Sequence, residues 1–268
     1  MTFFHLARVE GGSAAAPSMH RVGPIGRGGV STWVALVLLL ASVPAQATTF
    51  APSEVIQCPG SEEVRQVLRL YSGNTFGAVF WSDGFRIAPG LPDLPAITRC
   101  ESGGPIFWVA SARVLGTVPY GDAADPHAWR ASPPVRALTE GELLEALAQG
   151  LGDTPERERD LRMRAWWEAN AAFRRAGVPP APPGASDFLM GSPARANLEA
   201  LLRLLDEGVL GDRLTKAEAL RELGRLDEAR ALMPAQEPAE EGPRRRWALL
   251  MERLAARDAR VARFPAAR

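Results

Sequence analysis

The sequence contains few of the residues from which many active sites are built. Its 268 residues include two cysteines and three histidines, and the formal net charge is +0. Two cysteines are too few for a four-thiolate zinc site, and three histidines (His5, His20 and His127) make a histidine-based active site a poor hypothesis. Because phosphate binding needs a basic excess or a basic stripe, the balanced charge argues against a nucleic-acid partner.

The chain also lacks the motifs of common enzyme classes. It has no H-E-x-x-H, no G-x-S-x-G, no Walker loop and no G-x-G-x-x-G after a predicted strand. His127 follows Pro126 in a predicted surface loop. Carboxylates are plentiful, but most are expected on exposed helix faces, and no pair stands out. The sequence therefore designates no catalytic, cofactor-binding or metal-ligating residue, and we expect no cofactor.

The first 47 residues have the pattern of a secretory signal peptide. Basic residues precede the apolar run Trp33–Val43, and an A-Q-A sequence follows it, which predicts cleavage after Ala47. The run is shorter than the ~20 residues that span a bilayer, so we expect no stable membrane span once the leader is removed. Met19 is an alternative start. A leader kept as an anchor and a buried core helix remain alternatives. The prediction is export to the periplasm or the medium.

Residues 54–118 are predicted to form a small antiparallel β segment, followed by a linker at 119–137. Asp83-Gly84 separates two β-prone runs and predicts a hairpin with a type I′ turn. A second strand pair is predicted at Ile97–Cys100 and Ile106–Val109. Five aromatic residues are interpreted as the core of this segment, with a ligand platform as the alternative: Phe80, Trp81, Phe85, Phe107 and Trp108.

Both cysteines lie at tight turns, Cys58-Pro59-Gly60-Ser61 and Cys100-Glu101-Ser102-Gly103. Each turn would be a zinc knuckle if Ser61 and Gly103 were cysteines. From Cys58 to about Val109 the chain resembles a group of uncharacterised bacterial proteins with a zinc-ribbon-like segment that carries paired C-P-x-C turns. The resemblance implies that the metal site is lost here, so we expect no zinc. It also implies that the two remaining cysteines face each other and form a disulfide, the alternative being two free thiols.

Residues 138–265 are predicted to form a helical domain. Helix starts are indicated by a capping box at Thr139–Glu142 and by the pairs Thr154-Pro155 and Ser192-Pro193. The proline-rich stretch Gly177–Gly184 predicts an exposed loop.

A hairpin at 212–233 resembles the turn between the two helices of a tetratricopeptide repeat. Leu220, Leu223, Gly224 and Ala229 are its predicted packing or interaction residues, because glycine permits the reversal and alanine permits close helices. One hairpin inside a small bundle and a peptide-binding groove both fit this pattern, since a superhelix needs three or more repeats.

Two further helices are predicted to pack against this hairpin. They span Pro193–Glu207 and about Pro243–Arg263, and both carry leucines at helical spacing. The cluster Arg244-Arg245-Arg246 at the start of the second is interpreted as a solvated charge face.

The sequence thus predicts an α+β protein with a zinc-ribbon-like β segment and a tetratricopeptide-like helical bundle. The favoured function is an exported, non-catalytic protein-interaction or structural module that contacts another protein through its helical half. The alternative is an exported hydrolase that uses carboxylates on envelope material.

Overall fold

The computed structural model describes residues 48–100, 103–174 and 192–265. These residues comprise small antiparallel sheets followed by six helices, which confirms the α+β class. The predicted leader at 1–47 and the proline-rich stretch Gly177–Gly184 lie outside the described residues. None of the helices in the described part combines the length and the apolar character needed to cross a membrane.

The β region contains seven strands in the described part of the chain. They are Thr49–Gln57 (β1), Val64–Ser72 (β2), Val79–Phe80 (β3), Arg86–Ile87 (β4), Ile97–Arg99 (β5), Ile106–Trp108 (β6) and Arg113–Thr117 (β7). The largest sheet has the antiparallel order β2-β1-β7, and sequence reasoning missed it. The predicted pair β5–β6 is confirmed, with Thr98 opposite Phe107. The loop at 119–137 is tied to β2, because Gln66 N donates to Pro133 O at 2.9 Å.

The β3–β4 hairpin forms, but its turn differs from the predicted type I′. Gly84 has φ +84°, whereas Asp83 has no positive φ. Trp81 N donates to Phe85 O at 2.9 Å, and the Asp83 carboxylate accepts from Phe85 N at 3.0 Å. Because that carboxylate bonds the backbone two residues on, it stabilises a longer loop than the two-residue turn that Asp-Gly usually forms.

A disulfide joins Cys58, which follows β1, to Cys100, which follows β5, with their Cα atoms 6.0 Å apart. Both cysteines are buried in an apolar cluster with Ile56, Val67, Phe107 and Val109, which we call the disulfide cluster. A carboxylate oxygen of Glu63 lies within 4.8 Å of both sulfur atoms. Since the sulfurs are bonded to each other, they offer no thiolate to a metal ion.

Six helices follow in the described residues. They are Glu140–Ala148 (α1), Pro155–Arg174 (α2), Ser192–Leu202 (α3), Leu210–Glu222 (α4), Leu226–Leu232 (α5) and Glu241–Ala255 (α6). The capping box is confirmed: the Thr139 side chain accepts from Glu142 N, and the Glu142 side chain accepts from Thr139 N. The Thr154 hydroxyl accepts from Arg157 N at 3.3 Å at the start of α2.

Two helices are shorter than predicted. The helix expected to run to Glu207 ends at Leu202, and the helix expected to run to Arg263 ends at Ala255. Arg257 stops α6 by adopting φ +53°, and Asp258 N then donates back to Arg253 O at 3.0 Å. This is the Schellman pattern of helix termination, here with arginine in place of glycine.

The α4–α5 hairpin forms as predicted around Gly224, which has φ +78°. Gly224 N donates to Arg221 O and Arg225 N donates to Leu220 O, both at 2.9 Å, so the same termination pattern reverses the chain. Leu220, Leu223 and Ala229 lie in the helical core cluster with Leu198, Leu201, Leu254 and Trp166.

Candidate functional site

A layer of buried polar groups lies where the β3–β4 hairpin meets α2, α4 and α6. Its six fully buried members have 0% exposure, and Arg174 and Arg246 complete it; we call the whole set the buried charge layer. The six are Ser82, Asp83, Asn170, Glu218, Arg221 and Glu222. Charged side chains are rarely buried unless they are paired, so each partner in this layer is informative.

Asp83 connects the hairpin to α2. Its carboxylate pairs with Arg174 and accepts from Asn170 Nδ2 at 3.0 Å, while Trp167 Nε1 donates to its backbone oxygen at 3.1 Å. The Arg174 guanidinium also lies 4.1 Å from the ring centroid of Phe85. Burial raises the pKa of Asp83 above its usual value, although the charge of Arg174 opposes that rise.

Glu222 has no ion-pair partner among the described residues. Trp166 Nε1 donates to it at 2.7 Å, and Asn170 Nδ2 lies 3.1 Å from the same oxygen. Asn170 therefore links the carboxyl groups of Asp83 and Glu222. Burial, followed by the negative charges of Glu218 and Asp83, raises the pKa of Glu222 well above its usual value, which favours its neutral form.

Glu218 and Arg221 form a fully buried ion pair on α4. Arg221 Nη2 and Nε lie 2.6 and 2.7 Å from the two carboxylate oxygens. Burial alone would raise the pKa of Glu218, but Arg221 and the Ser82 hydroxyl lower it below its usual value. Arg221 Nη2 also donates to Arg260 O at 2.7 Å, so the pair fixes the segment that follows α6.

That segment returns to the hairpin instead of continuing as helix. Ser82 N donates to Ala262 O at 2.8 Å, Ala262 N donates to the Ser82 hydroxyl at 2.8 Å, and Phe264 N donates to Phe80 O at 2.9 Å. Residues near the end of the chain thus lie beside β3 and complete the cover of the buried charge layer.

Arg246 is the cation of the layer that has no carboxylate partner among the described residues. Its Nε donates to Ser82 O at 3.1 Å and its Nη1 donates to Thr215 Oγ1 at 3.0 Å, while its buried Nη2 has no hydrogen-bond partner. Burial lowers the pKa of Arg246 despite the nearby charges of Glu218 and Asp83. The layer therefore holds two closed ion pairs, one acid that favours its neutral form, and one cation without a counterion.

A cavity of about 240 Å³ adjoins Arg246 at the molecular surface. We call it the Phe80–Phe264 cavity; its lining residues are Phe80, Trp81, Gly84, Gly242, Arg245, Arg246 and Phe264. The lining contains three aromatic side chains and two arginines, and no carboxylate. The indole Nε1 of Trp81 is buried without a hydrogen-bond partner.

The residues singled out from the sequence lie elsewhere. Leu220, Leu223 and Ala229 are almost fully buried in the core, so their side chains pack between helices and offer no open surface. His127 is exposed and stacks on Trp129, with ring centroids 4.6 Å apart.

Two sequence interpretations need correction at the site. Of the three arginines expected to face solvent, Arg244 pairs with the exposed Glu237 at 3.6 Å, but Arg246 joins the buried layer. Of the five aromatics assigned to the core, Phe107 is buried, whereas Phe80 is 40% exposed and lines the cavity.

Sequence reasoning also missed the buried charge layer as a whole. A signal was present in α4, where Glu218, Arg221 and Glu222 occupy positions i, i+3 and i+4 and therefore share one helix face, while Leu220 and Leu223 lie on the opposite side, so the helix is buried all round. Asp83 and Asn170 carry no comparable local signal. No protein-family model, curated protein or solved structure matches this chain.

Proposed function

We propose that this is an exported, non-catalytic protein that acts by binding. One observation carries the proposal. The three carboxyl groups of the buried charge layer, those of Asp83, Glu218 and Glu222, are fully buried, while the accessible Phe80–Phe264 cavity is lined by none. A general acid or base has to come within hydrogen-bond reach of its substrate, directly or through one water. The cavity instead offers aromatic surface and arginines, which is the composition of binding hot spots.

The proposal of export rests on the leader pattern at 1–47 and is supported by the disulfide, because such bonds form and persist in oxidising compartments. Amino-terminal sequencing of the protein recovered from the periplasm or medium should begin at Thr48. A product that remains in the cytoplasm with its leader attached would contradict export and leave the binding function to be judged separately.

The finer architecture belongs to the same proposal. We infer that 54–118 derives from a zinc ribbon in which the disulfide has replaced the metal, since it closes the chain between the two turns that would have held the ion. We also infer that 212–233 is a single tetratricopeptide-like hairpin, supported by the reversal at Gly224 and the buried Ala229. In this arrangement the α4–α5 hairpin is part of the helical core, and the binding partner that we propose contacts the helical half at the start of α6.

Site-specific photocrosslinking tests the binding function. A benzophenone amino acid replaces Phe80, which is 40% exposed at the cavity, or Val209, which is 49% exposed and does not line it. We expect one discrete adduct after irradiation in the native compartment with the Phe80 variant and none with the Val209 variant. Equal labelling at both positions, or none at either, would overturn the proposed site.

The hydrolase remains the second candidate because of one observation. Asp83 and Glu222 share Asn170 and both have raised pKa values, and such perturbed acids cluster at active sites. This function requires the layer to open to a substrate. Incubation of the purified protein with cell-wall polymer tests it: release of soluble fragments that Asp83→Asn abolishes would favour the hydrolase over the binding protein.

A further inference from the structure

We propose that the Phe80–Phe264 cavity binds a carboxylate joined to an aromatic group, with Arg245 and Arg246 holding the carboxylate and the aromatic walls holding the ring. This inference rests on the proposed function, because it names the ligand class of a binding protein.

The two arginines of the cavity have no counterion in the part of the chain that the structure describes. Arg245 donates to Pro265 O at 3.1 Å and lies 5.9 Å from the Phe264 ring centroid, but neither it nor Arg246 forms an ion pair among the described residues. The adjacent Arg244 does, with Glu237. A carboxylate in the cavity would form charge-assisted hydrogen bonds with guanidinium groups that have no acid partner in the described parts of the chain.

The acids behind Arg246 do not supply the missing counterion. Asp83 is paired with Arg174, and Glu218 is paired with Arg221. Burial raises the pKa of Glu222 well above its usual value, which reduces the negative charge available to Arg246. Arg246 thus has no carboxylate within ion-pair distance among the described residues, and a bound anion in the cavity would supply one.

Two buried donors of the lining residues also lack acceptors. Arg246 Nη2 and Trp81 Nε1 have no hydrogen-bond partner within the described parts of the chain. Unpaired buried donors are costly, and a carboxylate would bring two acceptor oxygens to the cavity beside them.

The remaining lining favours an aromatic group. Phe80, Trp81 and Phe264 provide ring faces and edges, and the volume of about 240 Å³ lies below the ~300 Å³ at which pockets for drug-sized ligands begin. One ring with a short acidic side chain matches this space. The same chemistry occurs in a free aryl carboxylate and in the last residue of a peptide that ends in phenylalanine.

Isothermal titration of the purified protein with 3-phenylpropionate tests the ligand class. The neutral 3-phenylpropionamide has the same shape without the charge, and propionate has the charge without the ring. We expect 3-phenylpropionate to bind, and each of the other two to bind at least about tenfold more weakly. Equal affinity for the acid and the amide, or no binding of the acid at millimolar concentration, would overturn the proposal.

Variants of cavity residues test which side chains bind the carboxylate, without substitution of the fully buried members of the charge layer. We expect Arg245→Gln to weaken binding of the acid about tenfold, and Arg244→Gln, one residue away and paired with Glu237, to leave it unchanged. Trp81→Phe keeps an aromatic ring, although a smaller one, and removes the unpaired donor, so it should weaken binding without lowering the melting temperature of the free protein. Equal losses from Arg244→Gln and Arg245→Gln would show a general effect of charge and would contradict the site.

A peptide ending in phenylalanine separates the two sources of the ligand. Tighter binding of the free-acid peptide than of 3-phenylpropionate, abolished by amidation, identifies a peptide terminus; binding of 3-phenylpropionate alone identifies a small molecule. If no carboxylate binds while the Phe80 photocrosslink still forms, the ligand class is wrong and the proposed binding function stands.

Discussion

The disulfide cluster and the buried charge layer both join distant parts of the chain, but they are sensitive to different perturbations: the first to reduction and the second to loss of a charged side chain. The first closes a sequence separation of 42 residues with a covalent bond inside apolar side chains. The second joins Asp83 to α2 and Ser82 to α6 through hydrogen bonds and ion pairs. Apolar packing around a disulfide does not depend on ion pairs, whereas a buried charge depends on every partner. Reduction should therefore test one region, and loss of a single charge should test the other.

The largest effect is expected from Arg221→Met. The substitution leaves Glu218 as a fully buried acid without its counterion, and removing one partner of a buried ion pair typically costs about 3–5 kcal/mol. Urea unfolding measures the loss. Arg157→Gln is the matched control, because its pair with Asp153 is exposed and should contribute less than about 1 kcal/mol. Similar losses of stability in the two variants would contradict the larger contribution expected from the buried ion pair.

The next largest effect is expected from replacing both cysteines with serine. Loss of the bond that closes this loop should lower the free energy of unfolding by about 2–4 kcal/mol, because the unfolded chain gains freedom. Reduction of the wild type with dithiothreitol should lower the melting temperature similarly and leave the double variant unaffected. If dithiothreitol leaves the melting temperature of the wild type unchanged, the apolar packing of the disulfide cluster is enough to stabilise this region without the disulfide.

Ala229→Leu tests the apolar side of the comparison within the helices. Ala229 has 0% exposure in the helical core cluster that also contains Trp166, so the larger side chain should overpack it at a cost of about 1–3 kcal/mol. Ala148→Leu is the control, since Ala148 lies at the exposed end of α1 and should tolerate the change. Unchanged thermal stability of the Ala229 variant would contradict close packing of the hairpin.

The smallest effect is expected from Glu222→Gln, and its sign depends on pH. Because burial raises the pKa of Glu222 above 4.5, the folded protein keeps a proton that the unfolded chain loses as the pH rises. The stability contributed by this proton is complete below about pH 4.5 and is lost as the pH rises through the folded pKa. Glutamine does not titrate, so the variant should lie within about 1 kcal/mol of the wild type at acidic pH and should show a smaller decline in stability toward neutral pH.

Urea unfolding at several pH values checks this prediction, and Glu218→Gln provides the contrast. The pKa of Glu218 is lowered by Arg221 and Ser82 against the effect of burial, so its contribution is present above the unfolded pKa and is lost as the pH falls. Replacing Glu218 should therefore destabilise the protein most at neutral pH. Parallel pH profiles for the two variants would contradict the different charge states assigned to these acids.

Features with local signals were predictable from the sequence. The capping box at Thr139 and the reversal at Gly224 each depend on a few neighbouring residues, and the structure reproduces both. The pair β5–β6 also followed from two short apolar runs. The disulfide was predicted from a resemblance, because spacing alone does not place two cysteines together.

Features that depend on distant partners were not predictable in the same way. β1 contains Pro52 and has little alternation, and it becomes a strand because β2 and β7 pair with it on both sides. Arg246 reads as one of three surface arginines until Ser82 and Thr215 are found beside it. The helix predicted to reach Arg263 stops because Arg257 adopts a left-handed conformation that arginine seldom adopts.

The return of the chain end to β3 has a consequence for the order of folding. Ser82 receives its hydrogen-bond partner from Ala262, 180 positions later, and Arg246 reaches it from 164 positions later. The hairpin and α2 are synthesised well before these partners, so the polar interior closes only after residues separated by more than 160 positions have come together. Contacts between residues so far apart in sequence form slowly, so we expect closure of the buried charge layer to be a late step of folding.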